Sequence, residues 1–354
     1  MRVVRKASSG RGVAAGTAEI PKPAPGEVLI KVIAAGVCGT DLHIFKWDEW
    51  SQRRITPPVI IGHEFVGEIC EIGSKNSRFS IGQRVSAEGH ITCGQCRYCR
   101  NGQAHICKDV KIIGVDINGC FAEYICMPET NIWPVADEIA NKYAAIFDPL
   151  GNAMHTVMAQ PVAMKNVLVT GAGSIGLFAV PIAKKNGASK VIVVEPNEMK
   201  KEIARRVGAD LVIDPSDKNI KDIILENTAG MGPDVLLEMS GNAGALHLGL
   251  DVLCNGGVVS LLGIPSREIS LNLAEQVIFK GITLHGITGR RMYETWYQCE
   301  SFLKTSAKSI DPIITHTLKL EEAEKAFLMM ENNEAVKVLL EIQNREGDGD
   351  VGKI

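Results

Sequence analysis

The sequence has no excess of either charge. Among its 354 residues, 38 are Lys or Arg and 41 are Asp or Glu, and both signs are scattered along the chain rather than grouped in blocks. The resulting formal net charge of −3 provides no basic patch for nucleic acid or for an anionic lipid surface. A small neutral or zwitterionic molecule is therefore the more natural partner.

The sequence also lacks an uninterrupted apolar run long enough to cross a membrane. Its longest uncharged stretch, residues 166–183, contains three glycines and Pro181, which argue against a transmembrane helix. The first residues, MRVVRKASSGRG, are basic but precede no apolar segment, so they do not resemble a secretory signal. We expect a cytoplasmic protein with no membrane partner.

Ten cysteines are present. They would suggest disulfides in a short secreted chain, but in a long chain without a secretory signal they favour metal binding or simple burial. Their positions must decide between the two.

Hydrophobic patterning predicts a mostly-β first part of the chain. Residues 26–37, 59–72 and 119–127 combine alternation of apolar and polar residues with β-branched and aromatic side chains between glycines and prolines, which is typical of short strands. A length of 354 residues suits two domains. We therefore expect the β-rich domain to occupy residues 1–150.

The pattern changes at Asn166. Short apolar runs now alternate with stretches of helical period such as EMKKEIARRVGA, residues 198–209. The runs are VLVTG, VIVVE, LVID, DVLLE, VVSLLG and ITLHGI. Such alternation predicts βαβ units and a parallel sheet over residues 151–287.

The regular alternation stops after Ile287. We expect helices at residues 292–304 and 320–333 and a last strand at 336–342, followed by a Gly/Asp/Glu-rich tail at 345–354 that frays.

The string VLVTGAGSIG carries a candidate dinucleotide site. Gly171, Gly173 and Gly176 follow an apolar strand and open a helix, where they allow a tight turn, close approach of a diphosphate and close helix packing. Glu195 ends the next strand, where a carboxylate binds the adenosine ribose hydroxyls and repels the 2′-phosphate of NADP. NAD is therefore favoured. Lys200 lies one helical turn further on, as a ribose or diphosphate contact or as a solvated helix lysine.

Four cysteines within residues 90–108 predict a closed metal site. Cys93, Cys96, Cys99 and Cys107 follow a C-x2-C-x2-C-x7-C spacing, and four thiolates fill the tetrahedral shell of Zn²⁺. Such a site leaves no position for a substrate and is structural. An iron–sulfur cluster is the main alternative, and disulfides are less favoured.

A second, open metal site is predicted elsewhere. Cys38 offers a thiolate, His63 an imidazole and Glu64 a carboxylate, which is the mixed donor set of a catalytic zinc that keeps a position for water or an alcohol. Taken singly, each is commonly an ordinary buried residue.

With these motifs the sequence resembles the zinc-dependent medium-chain alcohol dehydrogenases along nearly its whole length. GHE at 62–64, the four-cysteine lobe and the glycine fingerprint match that family in order and spacing. The resemblance implies an α/β protein with a mostly-β, GroES-like catalytic domain at 1–150 completed by 288–354. It also implies a doubly wound, six-stranded Rossmann domain at 151–287, an active site in the cleft between the two, and a homotetramer.

Three longer strings resemble the members of that family that oxidise L-threonine. They are CGTDLHIFKWDEWSQ at 38–52, FDPLGNAMHT at 147–156 and GITGRRMYETWY at 286–297. The resemblance implies oxidation of L-threonine at C3 by NAD⁺ to 2-amino-3-oxobutanoate. A polyol or 2,3-butanediol dehydrogenase with the same zinc chemistry is the alternative.

The resemblance also assigns site residues. Cys38, His63 and Glu64 fall on catalytic zinc positions, and Thr40 and His43 fall on proton-relay positions. Asp148 falls near the zinc, as a ligand or as an aid to proton transfer. The NAD-contacting positions, besides the glycines, are Ile175, Glu195, Lys200, Leu262, Gly263, Ile264, Gly286 and Ile287.

The chemistry of an alcohol explains why such residues are needed. Hydride leaves the C3 carbon easily only when the hydroxyl has lost its proton. Zn²⁺ lowers the pKa of bound water far below its value in bulk, to about 7, so a bound alcohol should respond similarly. Thr40 can pass the proton to His43, whose usual pKa of about 6.5 suits a shuttle to solvent. Ordinary loop hydrogen bonding is the alternative role for both side chains.

Two further residues are candidates for binding the polar groups of the substrate. Arg290 can hold a carboxylate through its planar guanidinium, and His90 can contact the same molecule. A surface salt bridge and a buried hydrogen bond are the respective alternatives.

Two functions of another class are also consistent with parts of the sequence. One is a non-catalytic module that binds zinc and a dinucleotide as a sensor, which has no need of the open metal site. The other is a zinc-ribbon nucleic-acid binder, which the net negative charge disfavours.

Overall fold

The computed structural model describes residues 1–343, which form two compact units. The first comprises Met1–Pro149, Arg291–Thr305 and the chain from Ile314 onward, and the second comprises Leu150–Arg290 and Ser306–Ile313. The domain bounds 1–150, 151–287 and 288–354 remain predictions, and the tail at 345–354 lies outside the described residues.

The strands in chain order are β1 Arg2–Lys6, β2 Ala14–Thr17, β3 Glu27–Gly36, β4 Val59–Ile60, β5 Glu64–Ile72, β6 Arg84–Ala87, β7 His90–Ile91, β8 Lys111–Ile112, β9 Tyr124–Pro128, β10 Ile132–Pro134, β11 Asn166–Thr170, β12 Lys190–Val194, β13 Leu211–Ile213, β14 Val235–Glu238, β15 Val258–Leu261, β16 Thr283–Gly286, β17 Ile314–Lys319 and β18 Lys337–Glu341.

The α-helices are α1 Gly39–Lys46, α2 Glu49–Arg54, α3 Arg97–Arg100, α4 Asn141–Ala144, α5 Phe147–Met158, α6 Ser174–Lys185, α7 Glu198–Arg206, α8 Ile220–Glu226, α9 Ala243–Val252, α10 Glu294–Ser306 and α11 Ala323–Glu331. Short 3-10 turns occur at Ala104–Ile106, Glu129–Asn131, Ala307–Ile313 and Leu320–Glu322, and a π turn occurs at Ala274–Ile278.

The first unit is built on a mostly antiparallel sheet. Its strand order is β10-β6-β5-β3-β18-β17, and β9 also pairs with β3. Two smaller sheets, β2-β1-β4 and β7-β8, flank it. The strand β3 is central and almost wholly buried, which matches its run of apolar residues.

Two strand predictions in this unit need correction. Residues 119–123 lie outside β9. The backbone N–H groups of residues 119–121 donate to the carbonyls of residues 60–62, as in the bond from Cys120 N–H to the Gly62 carbonyl, and the N–H of Glu123 donates to the Arg2 carbonyl. The strand β17 was not predicted, because its sequence ITHTLK carries polar and charged side chains and only tertiary pairing with β18 makes it a strand.

The second unit is a doubly wound parallel sheet with the order β13-β12-β11-β14-β15-β16. All five strand pairings are parallel, and the chain reverses its winding between β11 and β14. Each predicted apolar run from Asn166 onward coincides with one of these strands, and α7 lies within the predicted helix 198–209. The α/β fold class with a six-stranded Rossmann-type sheet is confirmed.

The uncharged stretch at residues 166–183 is divided between β11 and α6. Within residues 1–343, none of the helices has both the length and the apolar character needed to cross a bilayer.

Candidate active site

The first metal candidate, Cys38, is held at the start of helix α1. Cys38 is the N-cap of that helix, and its backbone N–H donates to Asp41 Oδ2 at 3.0 Å in a capping-box arrangement. The other carboxylate oxygen of Asp41 accepts a hydrogen bond from Gly62 N–H at 3.2 Å. One buried carboxylate therefore ties the Cys38 turn to the loop that carries the next two candidates.

That loop is fixed by a glycine. Gly62 has φ +89°, and a Cβ on it would lie 2.1 Å from the ring of Phe121. His63 and Glu64 directly follow this glycine and are 7% and 1% exposed. Asp41 Oδ1 also lies 3.7 Å from His63 Nδ1, where it orients the imidazole.

The predicted open metal site is brought together by these contacts. One ligand atom each from Cys38, His63 and Glu64 lies within 4.8 Å of the others. Glu64 Oε1 is buried and has no hydrogen-bond partner among residues 1–343. A soft thiolate, an imidazole and such a carboxylate oxygen fit the ligand preferences of Zn²⁺.

The protonation equilibria of this cluster are strongly perturbed. Burial raises the pKa of Glu64, partly countered by the ammonium of Lys337. Burial lowers the pKa of His63, but the charges of Asp41 and of the Cys38 thiolate outweigh it and hold that pKa well above the usual value. Such mutually coupled groups are typical of functional sites.

Asp148 lies near the cluster but does not belong to it. The residue is in the first turn of α5 and is 6% exposed, and its charge acts on both His63 and Glu64. The group of ligand atoms within 4.8 Å in the described residues consists of the other three side chains. This position suits an electrostatic or proton-transfer role better than direct ligation.

The two predicted relay residues lie on the same helix. Thr40 Oγ1 is 3.8 Å from Cys38 Sγ, so its hydroxyl borders the metal candidates. The side chain of His43 is 59% exposed, and its Nδ1 lies 2.5 Å from Asp48 Oδ2. Since Asp48 Oδ1 also caps α2 through Ser51 N–H, the carboxylate is held in place by the next helix.

The WDEW string has a structural explanation. Trp47 adopts φ +59° and ends α1, Asp48 caps α2 and contacts His43, and Trp50 packs edge-on against the His43 ring at 6.2 Å. Asp48 was not singled out by sequence reasoning, although its place directly after the helix was the available signal.

The four cysteines lie together, as the predicted closed site requires. The Sγ–Sγ distances are 3.5 Å for Cys93–Cys107 and Cys96–Cys99, 3.9 Å for Cys96–Cys107 and 4.0 Å for Cys93–Cys99. A tetrahedron with Zn–S bonds of about 2.3 Å has edges of about 3.8 Å, so the thiols already match a zinc site. The backbone N–H of Cys99 lowers the pKa of the Cys96 thiol to about 6, which favours the thiolate.

The predicted substrate contact His90 is held by a residue that sequence reasoning missed. Glu88 is fully buried, and its Oε1 accepts from the backbone N–H of His90 and lies 2.9 Å from His90 Nδ1. Its Oε2 accepts from Trp296 Nε1 at 2.9 Å. Trp296 of the ETW string and His90 therefore contact the same carboxylate, that of Glu88.

Arg290 lies in the second unit with 1% of its surface exposed. Its methylenes come within 2.9 Å of the position that a Cβ on Gly151 would take. This burial rules out the alternative of a surface salt bridge.

The predicted glycine loop has the geometry of a dinucleotide turn. Gly171 has φ +89°, and a Cβ on Gly176 would lie 2.1 Å from the Gly171 carbonyl oxygen. At Gly173, by contrast, a Cβ would meet nothing within 4 Å, so space is open above the start of α6. An anionic diphosphate fits this open helix N-terminus. Ile175, in the first turn of α6, is half-buried.

Glu195, the predicted ribose ligand, also stabilises the glycine loop through its carboxylate. Its Oε2 accepts from Ala172 N–H at 2.7 Å and its Oε1 from Asn197 N–H at 3.0 Å. Asn197 in turn caps α7 through Lys200 N–H, which leaves the half-buried Lys200 side chain in the first turn of that helix.

The remaining NAD-contacting candidates line the same edge of the sheet. Leu262 and Gly263 donate their backbone N–H groups to the Glu238 carbonyl, and Ile287 N–H donates to the Leu261 carbonyl just after β16 and Gly286. Ile264 is 90% exposed. Its backbone lies against Gly241, the residue after the Ser240 that packs on Gly171.

A second buried carboxylate at this edge was also missed. Glu238 ends β14 and accepts from the N–H groups of Ser240 and Gly241, which hold the turn against Gly171. An acidic residue at the end of a predicted strand was the signal for it, as it was for Glu195.

Comparison with known proteins agrees with this geometry. The profile of the alcohol dehydrogenase GroES-like domain matches residues 24–137, and that of the zinc-binding dehydrogenases matches residues 174–305. The chain is 47% identical over 323 residues to an L-threonine 3-dehydrogenase of Caldanaerobacter subterraneus subsp. tengcongensis, covering 91% of this chain and 93% of the relative. It belongs to the zinc-dependent medium-chain alcohol dehydrogenases.

Other members of this dehydrogenase family give the same result. An L-threonine 3-dehydrogenase of Pyrococcus horikoshii is 45% identical over 340 residues, covering 96% of this chain and 98% of the relative. Among solved structures, an alcohol dehydrogenase of Thermotoga maritima matches with a TM-score of 0.89 at 28% identity, covering 97% and 99% of the two chains. The 2R,3R-butanediol dehydrogenase of Bacillus subtilis matches with a TM-score of 0.87 at 25% identity, covering 97% and 99%.

The expected class of enzyme is thereby confirmed. The zinc-dependent dehydrogenase described here is an oxidoreductase that uses NAD and zinc. The residues that bind each cofactor are proposed below.

Proposed function

We propose that this dehydrogenase oxidises L-threonine at C3, transfers hydride to NAD⁺ and releases 2-amino-3-oxobutanoate. The observation that carries the proposal is the cluster of Cys38 with the buried His63 and Glu64, beside a helix that bears Thr40 and His43. Identity of 45–47% to two L-threonine 3-dehydrogenases over more than nine tenths of the chain supports the choice of substrate.

The catalytic metal is proposed to lie among Cys38, His63 and Glu64. When bound there, zinc supplies Lewis acidity that lowers the pKa of the substrate hydroxyl. Asp41 orients the His63 imidazole, and Asp148, whose negative charge raises the pKa of His63, is proposed to assist proton transfer rather than to ligate the metal. The second zinc is proposed to hold the lobe of Cys93, Cys96, Cys99 and Cys107.

The proton leaves by way of Thr40 and His43 in this proposal. The Thr40 hydroxyl accepts the substrate proton and donates its own onward, because a hydroxyl can do both. With Nδ1 held by Asp48, His43 keeps Nε2 available as a proton acceptor, and its exposed ring releases the proton to solvent.

NAD is proposed to bind along the edge of the parallel sheet. The diphosphate lies over Gly173 at the N-terminus of α6, and the adenosine ribose is bound by Glu195 with Lys200 beside it. A carboxylate at this position repels a 2′-phosphate, which favours NAD over NADP.

His90 and Arg290 are proposed to recognise the polar groups that distinguish an amino acid from a diol. His90 retains partial exposure, at 19% of its side chain, with its ring oriented by Glu88. A planar guanidinium such as that of Arg290 binds a carboxylate through two parallel hydrogen bonds.

Replacing Arg290→Leu should raise KM for threonine strongly and leave the affinity for NAD unchanged, because only the substrate carries the carboxylate that it binds. Steady-state kinetics in threonine and NADH fluorescence titration measure the two quantities. Unchanged threonine kinetics in the folded variant would exclude a substrate contact.

The proposal is tested by comparing L-threonine, 2,3-butanediol and sorbitol as substrates of the zinc-loaded protein, with NADH absorbance as the readout. Threonine should exceed both 2,3-butanediol and sorbitol in kcat/KM by more than about 100-fold, since a site with polar groups for an ammonium and a carboxylate discriminates strongly against substrates that lack them. Cys38→Ser should abolish oxidation of all three.

A 2,3-butanediol dehydrogenase is the second candidate, favoured by the structural similarity to the Bacillus subtilis enzyme of that name. A diol preference in the same assay would support it and would remove the roles of His90 and Arg290. A sensor without catalysis is distinguished by metal content, since it requires only the zinc of the four-cysteine lobe.

We further infer that the protein is cytoplasmic and forms a homotetramer. The edge strand β16 has no second strand neighbour in the described residues, and Leu284 on it is 39% exposed. Ile278 and Phe279, just before it, are 67% and 71% exposed. An apolar sheet edge of this kind is suited to pairing with a second copy of the chain.

A further inference from the structure

A buried lysine far along the chain contacts the candidate metal cluster. Lys337 is fully buried at the start of β18. Its Nζ lies 2.5 Å from Glu64 Oε2 and donates a hydrogen bond of 2.8 Å to the carbonyl of Val37, the residue before Cys38. One ammonium therefore contacts the carboxylate of one metal candidate and the backbone next to another.

The sheet explains how this lysine reaches the site. The strand β18 pairs with β3 so that Leu339 lies opposite Gly36, which directly precedes Val37. Gly36 leaves the space that the carboxylate occupies, because a Cβ there would lie 2.1 Å from Glu64 Oε2. The Glu64 carboxylate thus has a fitted position beside the ammonium of Lys337.

The charge of Glu64 requires compensation at this depth. Both side chains of the pair are at most 1% exposed. A buried carboxylate that loses its counter-charge is strongly destabilising, whereas replacing both members of a buried ion pair by neutral groups is often harmless. Lys337 and a metal cation can each provide the compensation, and both require the same carboxylate.

We propose that Lys337 is a positioning residue that substitutes electrostatically for the catalytic metal. It holds Glu64 and the Cys38 turn in place while the site is empty of metal, and it competes with the metal for Glu64 once the metal arrives. The metal-free chain is thereby stabilised at the expense of metal affinity. This inference rests on the proposed catalytic site at Cys38, His63 and Glu64.

The test compares wild type with Lys337→Met in metal-depleted and zinc-loaded forms, by thermal unfolding and by competition with a chromophoric chelator. The variant should lose much more thermal stability in the metal-depleted form than in the zinc-loaded form. Zinc should bind the open site of the variant at least about tenfold more tightly than that of wild type. Without the Lys337 ammonium, the zinc ion alone balances the charge of Glu64, and a ligand that stabilises the folded state more strongly binds it more tightly.

Lys201→Met is the matched control. Lys201 is also nearly buried, and its Nζ lies 2.7 Å from Asp214 Oδ2, but it belongs to the second unit and contacts no metal candidate. Its loss should lower the stability of both forms equally and leave zinc affinity unchanged. Equal losses in the two forms of Lys337→Met, with unchanged zinc affinity, would overturn the proposal.

The double variant Glu64→Gln/Lys337→Met keeps the test decisive where the single variant does not fold. With both charges removed, the metal-depleted double variant should be more stable than Lys337→Met alone. A double variant that is no more stable contradicts the proposed charge compensation. A wild-type chain that binds only one zinc, unaffected by Cys38→Ser, would instead refute the catalytic site itself.

Discussion

Each imidazole assigned to the active site has a carboxylate oxygen close to its Nδ1 atom. The pairs are Asp41 with His63 at 3.7 Å, Asp48 with His43 at 2.5 Å and Glu88 with His90 at 2.9 Å. A carboxylate on one ring nitrogen selects the tautomer and the ring orientation, so the other nitrogen faces its metal, proton or substrate in a defined way. In the proposed mechanism, three carboxylates that are neither metal ligands nor bases therefore orient the imidazoles that are.

Replacing Asp48→Asn should lower kcat for threonine about tenfold, a fraction of the 10²–10⁴ that a positioned acid–base group typically contributes. Asparagine still caps α2, so only the interaction with His43 is weakened. Steady-state kinetics and zinc content measure the outcome.

The matched comparison is Asp48→Ala, which removes the helix cap as well. We expect it to lose thermal stability in addition to kcat, whereas Asp48→Asn keeps wild-type stability and two zinc per chain. A kcat for Asp48→Asn equal to that of wild type would show that His43 needs no partner.

Gly36 must be a glycine because the Glu64 carboxylate occupies the space where a side chain would lie. Gly36→Ala should displace the Glu64 carboxylate, because the added Cβ would lie 2.1 Å from Oε2. We expect bound zinc, measured by elemental analysis, to fall from two to one per chain. Gly39→Ala is the control, since a Cβ there meets nothing within 4 Å, and it should retain both. Full zinc content in Gly36→Ala would argue against Glu64 as a ligand.

At the scale of elements, the first unit relies on segments from the end of the chain. Helix α11 packs against α1 through a stacked Phe45–Phe327 pair, and Glu331 forms an ion pair with Arg11. Strand β18 pairs with β3 directly beside the metal candidates. The helix that bears Thr40 and His43 is therefore positioned by residues almost three hundred positions later in the sequence.

In the second unit, the pairing of α7 with the end of β13 predicts a pH dependence. Hydrogen bonds from Lys201 and Ser216 hold the pKa of Asp214 well below its usual value of about 3.9. A carboxyl with a depressed pKa stabilises the fold above its unfolded pKa and loses that contribution as pH falls. Thermal stability should thus decline as pH falls below about 4.

Asp214→Asn should flatten that decline and lower stability at neutral pH, as measured by thermal unfolding across the acid range. Asp210→Asn is the comparison, because Asp210 pairs with the more exposed Lys184. The same acid sensitivity in Asp214→Asn as in wild type would assign the decline to other carboxylates.

At the scale of the whole molecule, assembly is expected to use the free edge at β16. Leu284→Lys places a charge at this edge and should reduce the proposed tetramer to smaller species in size-exclusion chromatography with light scattering. Met231→Lys is the control, because Met231 is 73% exposed in a loop of the same unit. A tetrameric Leu284→Lys variant would place the interface elsewhere.

Patterns of local origin were predicted well from the sequence. The parallel sheet follows from buried apolar runs, the dinucleotide turn from glycines that need positive φ or close packing, and the four-cysteine lobe from a spacing that one metal can span. In each case the residues that matter are close together in the chain, so their spacing fixes their geometry. The cluster of Cys38 with His63 and Glu64 was found only because the donor set is chemically distinctive.

Contacts between distant segments were decided by the tertiary structure. Strand β17 exists because β18 pairs with it, and residues 119–121 leave the strand pattern because their backbone N–H groups donate to residues 60–62. Glu88 meets Trp296 across 208 positions, and Lys337 meets Val37 across 300. A buried charge can be recognised as necessary only when its partner is known, and sequence spacing carries no information about partners brought together by folding.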